Sequence, residues 1–207
     1  MGGRLYKWTI EEAKNVFFTS DTHFGHENIL KYCSRPFADI NEHDEELIRR
    51  WNEKVPEDGT VFHLGDVGFC SNKRMNEILE QLHGKIYLII GNHDWRRITE
   101  QHKWRFEEMT QQMSIMIGKH SIILNHYPLL TYAGVWKGQQ ATWNLFGHVH
   151  TSPYTAQGLD HQRLNVLFPT QYDVGVDNND FTPVSFEEVQ QIITNQMMSL
   201  GMCRNKK

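Results

Sequence analysis

The sequence predicts an α/β protein built from two facing β-sheets with helices packed outside, and three observations predict it. Short apolar runs, such as Val16-Phe17-Phe18, Val61-Phe62-His63-Leu64 and Ile86-Tyr87-Leu88-Ile89-Ile90, stop abruptly at Gly or polar residues. Segments of helical spacing lie between them, so right-handed crossovers and a largely parallel half-sheet are expected. The second half changes character to a hairpin followed by further short strands, which calls for a second sheet.

In chain order, residues 16–18 form the first of these strands and end at Thr19-Ser20-Asp21. Asn41 is expected to cap a helix that buries Leu47, Ile48, Trp51 and Val55, with acids early and Arg49, Arg50 and Lys54 late, as the helix dipole favours. After the strand at 61–64, Met75, Ile78, Leu79 and Leu82 fall on one face of a second helix. The strand at 86–90 runs into Gly91-Asn92-His93-Asp94. Residues 113–117 and 121–124 flank Gly118-Lys119 as a hairpin, and 143–146, 163–166 and 173–176 read as further strands. Ser185 and Glu188 stand in capping-box register ahead of Val189, Ile192, Ile193 and Met197, which predicts a last amphipathic helix. Residues 1–207 read as a single domain, with a flexible tail from about 202 to 207 that has nothing apolar to anchor it.

The bulk composition narrows the function classes. With 207 residues, 39% of them hydrophobic, the chain can bury one core without staples. Its 21 basic and 25 acidic residues give a net charge of -4, which argues against extended nucleic acid or an anionic membrane as partner. A small phosphorylated substrate would need metal ions to offset its charge. Cys33, Cys70 and Cys203 are widely spaced and suit a reducing compartment. No apolar run approaches a membrane span and Met1-Gly2-Gly3-Arg4 leads into no apolar leader, so a soluble, cytoplasmic protein is expected.

The chemistry lies in five polar clusters where apolar runs end. Asp21 and His23, two apart, can present both side chains to one cation, and His148 and His150 repeat that spacing. Asp66 follows Gly65 and has two oxygens able to bridge two metals; Asn92 offers an amide oxygen, and His126 ends another apolar run. Two carboxylates, four imidazoles and one amide oxygen form a set suited to two divalent ions, manganese first among manganese, iron, zinc, nickel and magnesium. Such a pair could hold a bridging hydroxide and clamp the attacking and leaving oxygens of a phosphoryl centre, which is the chemistry of phosphoester hydrolysis. His93 is the candidate general acid, with Asp94 expected to orient its ring and favour its protonated form.

Asp21-x-His23, Gly65-Asp66, Gly91-Asn92-His93-Asp94, an isolated His126 and Gly147-His148-x-His150 together resemble the calcineurin-like metallophosphoesterase superfamily in content and order, over roughly residues 16 to 178. The resemblance implies a four-layer αββα sandwich. It implies Asp21, His23, Asp66 and His150 on one metal, Asp66, Asn92, His126 and His148 on the other, and an acid role for His93. The segment from Ser20 to Ile29 and Asp173-Val174-Gly175-Val176-Asp177 look most like the compact bacterial and phage-type members. The chain departs from many members in having Asn125 where they have Gly and Asp173 where they have Asn. The alternative from another class is a non-catalytic binding scaffold on the same fold, as in the retromer scaffold subunit, and filled ligand positions speak against it.

Other residues draw plainer readings. His43, His83, His102, His120 and His161 lie outside the clusters and are expected to be structural or surface histidines. His63 is expected to be a hydrogen-bonded core residue. His26, just after the first ligand pair, is a possible substrate contact. Asp173, Asp177 and Asp180 lack the spacing of a calcium loop and read as solvated turns.

Overall fold

The structure, a computed structural model, describes residues 6–151 and 166–199. One sheet, in the order β10-β2-β3-β4-β5, pairs β2 (Val16–Thr19), β3 (Thr60–His63), β4 (Lys85–Ile89) and β5 (Phe106–Thr110) in parallel, with β10 (Val184–Ser185) antiparallel at its edge. The other, in the order β1-β6-β7-β8-β9, comprises β1 (Tyr6–Trp8), the hairpin strands β6 (Gln112–Ile117) and β7 (His120–Asn125), β8 (Trp143–Phe146) and β9 (Gln171–Asp173). Two mixed sheets with flanking helices make an α/β sandwich.

Period two along the strands sorts side chains between layers. Phe18, Phe62, Leu64 and Ile89 face the other sheet, where they meet Ile115, Ile122, Leu124 and Leu145. The alternate residues Phe17, Val61, Ile86 and Leu88 face outward against Leu47 and Trp51 of α2 (Ile40–Lys54) and Met75, Ile78 and Leu79 of α3 (Asn72–Gln81). Burying each such side chain contributes roughly 1.5–3 kcal/mol. On the second sheet's outer face, Ile123 packs against Tyr132 and Val135. The last helix, α4 (Phe186–Ser199), inserts Val189, Ile193 and Met197 beside the inter-sheet core. No helix among the described residues is long and apolar enough to cross a membrane.

The helix caps differ in part from the expectation. Asp39, not Asn41, caps α2: its carboxylate accepts the N–H groups of Asn41 and Glu42 at 2.8 and 3.0 Å, which leaves Asn41 inside the first turn. A charged acceptor at the positive end of the dipole wins over an amide two residues later. The capping box at Ser185 and Glu188 is present in both directions. The strand expected at 173–176 ends earlier, at Asp173, because its Oδ1 accepts the Gly175 N–H at 2.8 Å and turns the chain. Residues 163–165 of another expected strand, His161 and the tail lie outside the described residues. Strands β1, β5 and β10 were not expected.

Candidate metal centre

Because β2, β3 and β4 run parallel, as do β7, β8 and β9, their C-terminal ends carry loops to one rim of the sandwich. All seven expected ligands lie on those loops. Five of them, Asp21, His23, Asp66, His148 and His150, adopt left-handed backbone with φ of 57, 51, 59, 71 and 48°. Only eight non-glycine residues do so among those described. Left-handed backbone costs an L-residue about 1 kcal/mol or more, and its concentration here marks a functional site.

Ligand atoms of Asp21, His23 and His150 lie within 4.8 Å of one another, and those of Asp66, His126 and His148 form a second such group. Asp66 joins the two: its Oδ2 is 3.7 Å from His23 Nε2 and 3.6 Å from His126 Nε2. Asp21 Oδ1 and His23 Nε2 are buried with no hydrogen-bond partner, although buried polar atoms are normally satisfied. Burial and the neighbouring Asp21 carboxylate push the Asp66 pKa up, as expected of crowded acids. Orphaned donor atoms beside crowded carboxylates are what a divalent cation would satisfy, so the residues fit a metal pair.

Hydrogen bonds behind the expected ligands orient them. His126 Nδ1 donates to the Leu64 carbonyl at 2.7 Å, which leaves Nε2 unprotonated 2.9 Å from Asn92 Oδ1, two lone-pair atoms that suit a shared cation and not a hydrogen bond to each other. His150 Nδ1 donates to Asp177 Oδ2 at 2.8 Å and so presents Nε2 to Asp21 Oδ1 at 3.9 Å. The His148 amide donates to Asp21 Oδ2 at 2.8 Å, and its ring lies edge-on to Tyr127. Burial, reinforced by the His150, Arg35, His26 and His93 charges, holds the His23 pKa well below its ordinary value and the ring neutral.

His93 stands at the mouth, its side chain 44% exposed, with Nε2 3.8 Å from Asp66 Oδ2. The expected partnership with Asp94 is corrected. The Asp94 carboxylate is 1% exposed and accepts the backbone N–H groups of Asp66, Val67 and Gly91 at 2.9, 2.9 and 2.8 Å, so it clamps two loops and makes no hydrogen bond to the His93 ring. Its charge still raises the His93 pKa, but burial outweighs it and the net direction is down. His26 lies 5.3 Å from His23 between ring centroids and stacks on Phe69 at 4.2 Å, and Arg97 also rests over Phe69.

His63 is the hydrogen-bonded core residue expected. Gly65 N–H donates to its Nδ1 at 3.2 Å, its Nε2–H faces Thr22 Oγ1 at 2.9 Å, and that hydroxyl donates to the Val67 carbonyl, which fastens the loops after β2 and β3. His43, His83, His102 and His120 belong to neither ligand group. The solvated-turn reading fails for Asp173 and Asp177, only 4% and 3% exposed, and holds for Asp180, whose side chain is 89% exposed. Asp173 accepts the Gly175 and Thr151 amides, and Asp177 is bound to Arg35, a residue that no motif in the sequence singles out.

A family model described as the calcineurin-like phosphoesterase superfamily domain matches residues 15–169. An uncharacterised protein of Methanocaldococcus jannaschii is 32% identical over 182 residues, spanning 87% of this chain and 92% of that protein. The gene 66 protein of Mycobacterium phage L5 is 28% identical over 181 residues, spanning 73% of this chain and 85% of that one. A protein of unknown function from Aquifex aeolicus has a solved structure that superposes with a TM-score of 0.66 at 25% identity, covering 86% of this chain and 98% of that one. The family match spans most of the chain and takes in every ligand-bearing loop: the chain belongs to the calcineurin-like phosphoesterase superfamily.

Proposed function

We propose that this protein hydrolyses phosphomono- or phosphodiester bonds of a small cytoplasmic substrate with a pair of divalent cations. The observation that carries the reading is the position of Asp66 Oδ2, within 3.7 Å of an imidazole nitrogen from each of the two ligand groups. Asp21, His23, Asp66 and His150 would hold one cation and Asp66, Asn92, His126 and His148 the other. When bound, the pair supplies Lewis acidity at the phosphoryl centre and an activated water.

The chain's own residues do the rest. Left-handed backbone at the ligand positions fixes the side chains before substrate arrives, so little reorganisation is needed during the reaction. His93 Nε2, on a side chain 44% exposed at the mouth and 3.8 Å from Asp66 Oδ2, is placed to give its proton to the departing ester oxygen. The net charge of -4 supports a small substrate over an extended polyanion, since cations at one point can offset one phosphate but not a long backbone.

The test is hydrolysis of a panel of phosphomono- and phosphodiesters by the purified chain with manganese, iron, zinc, nickel or magnesium, beside an EDTA control. Turnover that needs metal and is lost in Asp66→Ala is expected. A chain that binds metal yet turns over no ester with any of the five ions would overturn the reading.

A further inference from the structure

Arg35 follows the short helix α1 (Glu27–Tyr32), is 4% exposed, and has five N–H donors to place. All five are used. Nε and one Nη2 proton go in a fork to the two Asp177 oxygens at 2.8 and 2.7 Å; the second Nη2 proton goes to the Asp21 carbonyl at 2.7 Å. Nη1 donates to the Thr22 carbonyl at 3.0 Å and to His43 Nε2 at 2.8 Å. His43 can accept because its Nδ1–H is given to Asp44, whose Oδ1 also accepts the Gly25 amide.

These partners frame one ligand group and not the other. The Asp21 and Thr22 carbonyls belong to the segment where Asp21 and His23 are held left-handed, and Asp177 is the group that aims His150. In the other group the Leu64 carbonyl stands behind His126 and Asp94 behind the Asp66 amide, neither of them an Arg35 partner, while the His148 amide reaches across to Asp21 Oδ2. We infer that Arg35 is a positioning residue for one cation only, fixing Asp21, His23 and His150 together through the two carbonyls and Asp177. The two metal positions are thereby separable, and the one framed by Arg35 depends on a planar fork that lysine cannot reproduce. The inference rests on the assignment of Asp21, His23 and His150 to one metal position.

The experiment is calorimetric titration of the metal-free chain with manganese, in the wild type, Arg35→Lys, Asp177→Asn and His126→Ala, with melting temperatures in EDTA to confirm folding. Two equivalents are expected for the wild type and one for His126→Ala. Arg35→Lys should weaken the equivalent that survives in His126→Ala by about 10- to 100-fold and leave the other unchanged, as loss of a residue behind a metal ligand does. Asp177→Asn should weaken the same equivalent, and it carries the comparison if Arg35→Lys does not fold. Equal weakening of both equivalents, or no change in a folded variant, overturns the inference. A wild-type chain that takes up fewer than two equivalents overturns the metal assignment beneath it.

Discussion

The Asp94 carboxylate accepts the backbone N–H of Asp66 at 2.9 Å, so the loop after β4 sets the position of the loop after β3. Two further amides, of Val67 and Gly91, converge on the same carboxylate. Asp94→Ala would strand three buried donors, and a lost acceptor costs roughly 1–3 kcal/mol for each. We expect a loss of about 3 kcal/mol or more in urea unfolding with EDTA present. Asp94→Asn should lose less, because its amide oxygen still accepts. A loss under about 1 kcal/mol for the alanine variant would show that these bonds do not hold the loops.

His93 tests the acid role through the leaving group. A group that protonates the departing oxygen matters most when that oxygen leaves poorly, so His93→Ala should depress kcat about 10²- to 10⁴-fold on alkyl phosphate esters. The loss on activated nitrophenyl esters should be smaller. Equal losses on both, read from steady-state kinetics with metal saturating, would assign His93 to binding rather than proton transfer.

Gly147 probes the site without changing a ligand. A Cβ built there would overlap Asp21 Oδ2 and Ser20 Oγ, so alanine must push the Asp21 carboxylate out of place. Displacement of about 1 Å in such a site costs on the order of 10² in rate. Gly147→Ala is expected to show that loss in kcat/KM together with weaker manganese uptake, while its circular dichroism stays that of the parent.

Metal removal should be visible in stability. Asp21 Oδ1 and His23 Nε2 are buried without partners, and a cation that satisfies them binds the folded chain alone. At about 100 times its dissociation constant a ligand adds about 2.7 kcal/mol, which for a chain of this size raises Tm by roughly 5 to 10 °C. Differential scanning calorimetry with manganese and with EDTA measures it. An unchanged Tm would mean that no cation docks at these atoms.

Much of the fold was legible because β2, β3 and β4 are buried on both faces and therefore appear as unbroken apolar runs. Strand β5 was hidden: Phe106-Glu107-Glu108-Met109-Thr110 lies at a sheet edge, where all but Phe106 are at least partly exposed. The candidate ligands were legible for the same reason as the central strands, since their clusters stand where apolar runs end. Arg35 and Asp177 were not, because they stand 142 residues apart and only the closed fold makes one the partner of the other. Read along the chain, Asp177 amid Asn178, Asn179 and Asp180 looks like a solvated turn. The role given to Asp94 failed for a related reason: sequence neighbours suggested His93, whereas the carboxylate turns toward backbone amides of another loop.

If Asp66 joins two cation positions, the two ions must sense each other magnetically. The most direct test is the electron paramagnetic resonance spectrum of the chain saturated with manganese. Two ions bridged by one carboxylate should give the broad spectrum of an exchange-coupled pair, and Asp66→Ala should abolish the coupling. A hyperfine pattern of isolated manganese at saturation in the unaltered chain would mean that Asp66 bridges no such pair.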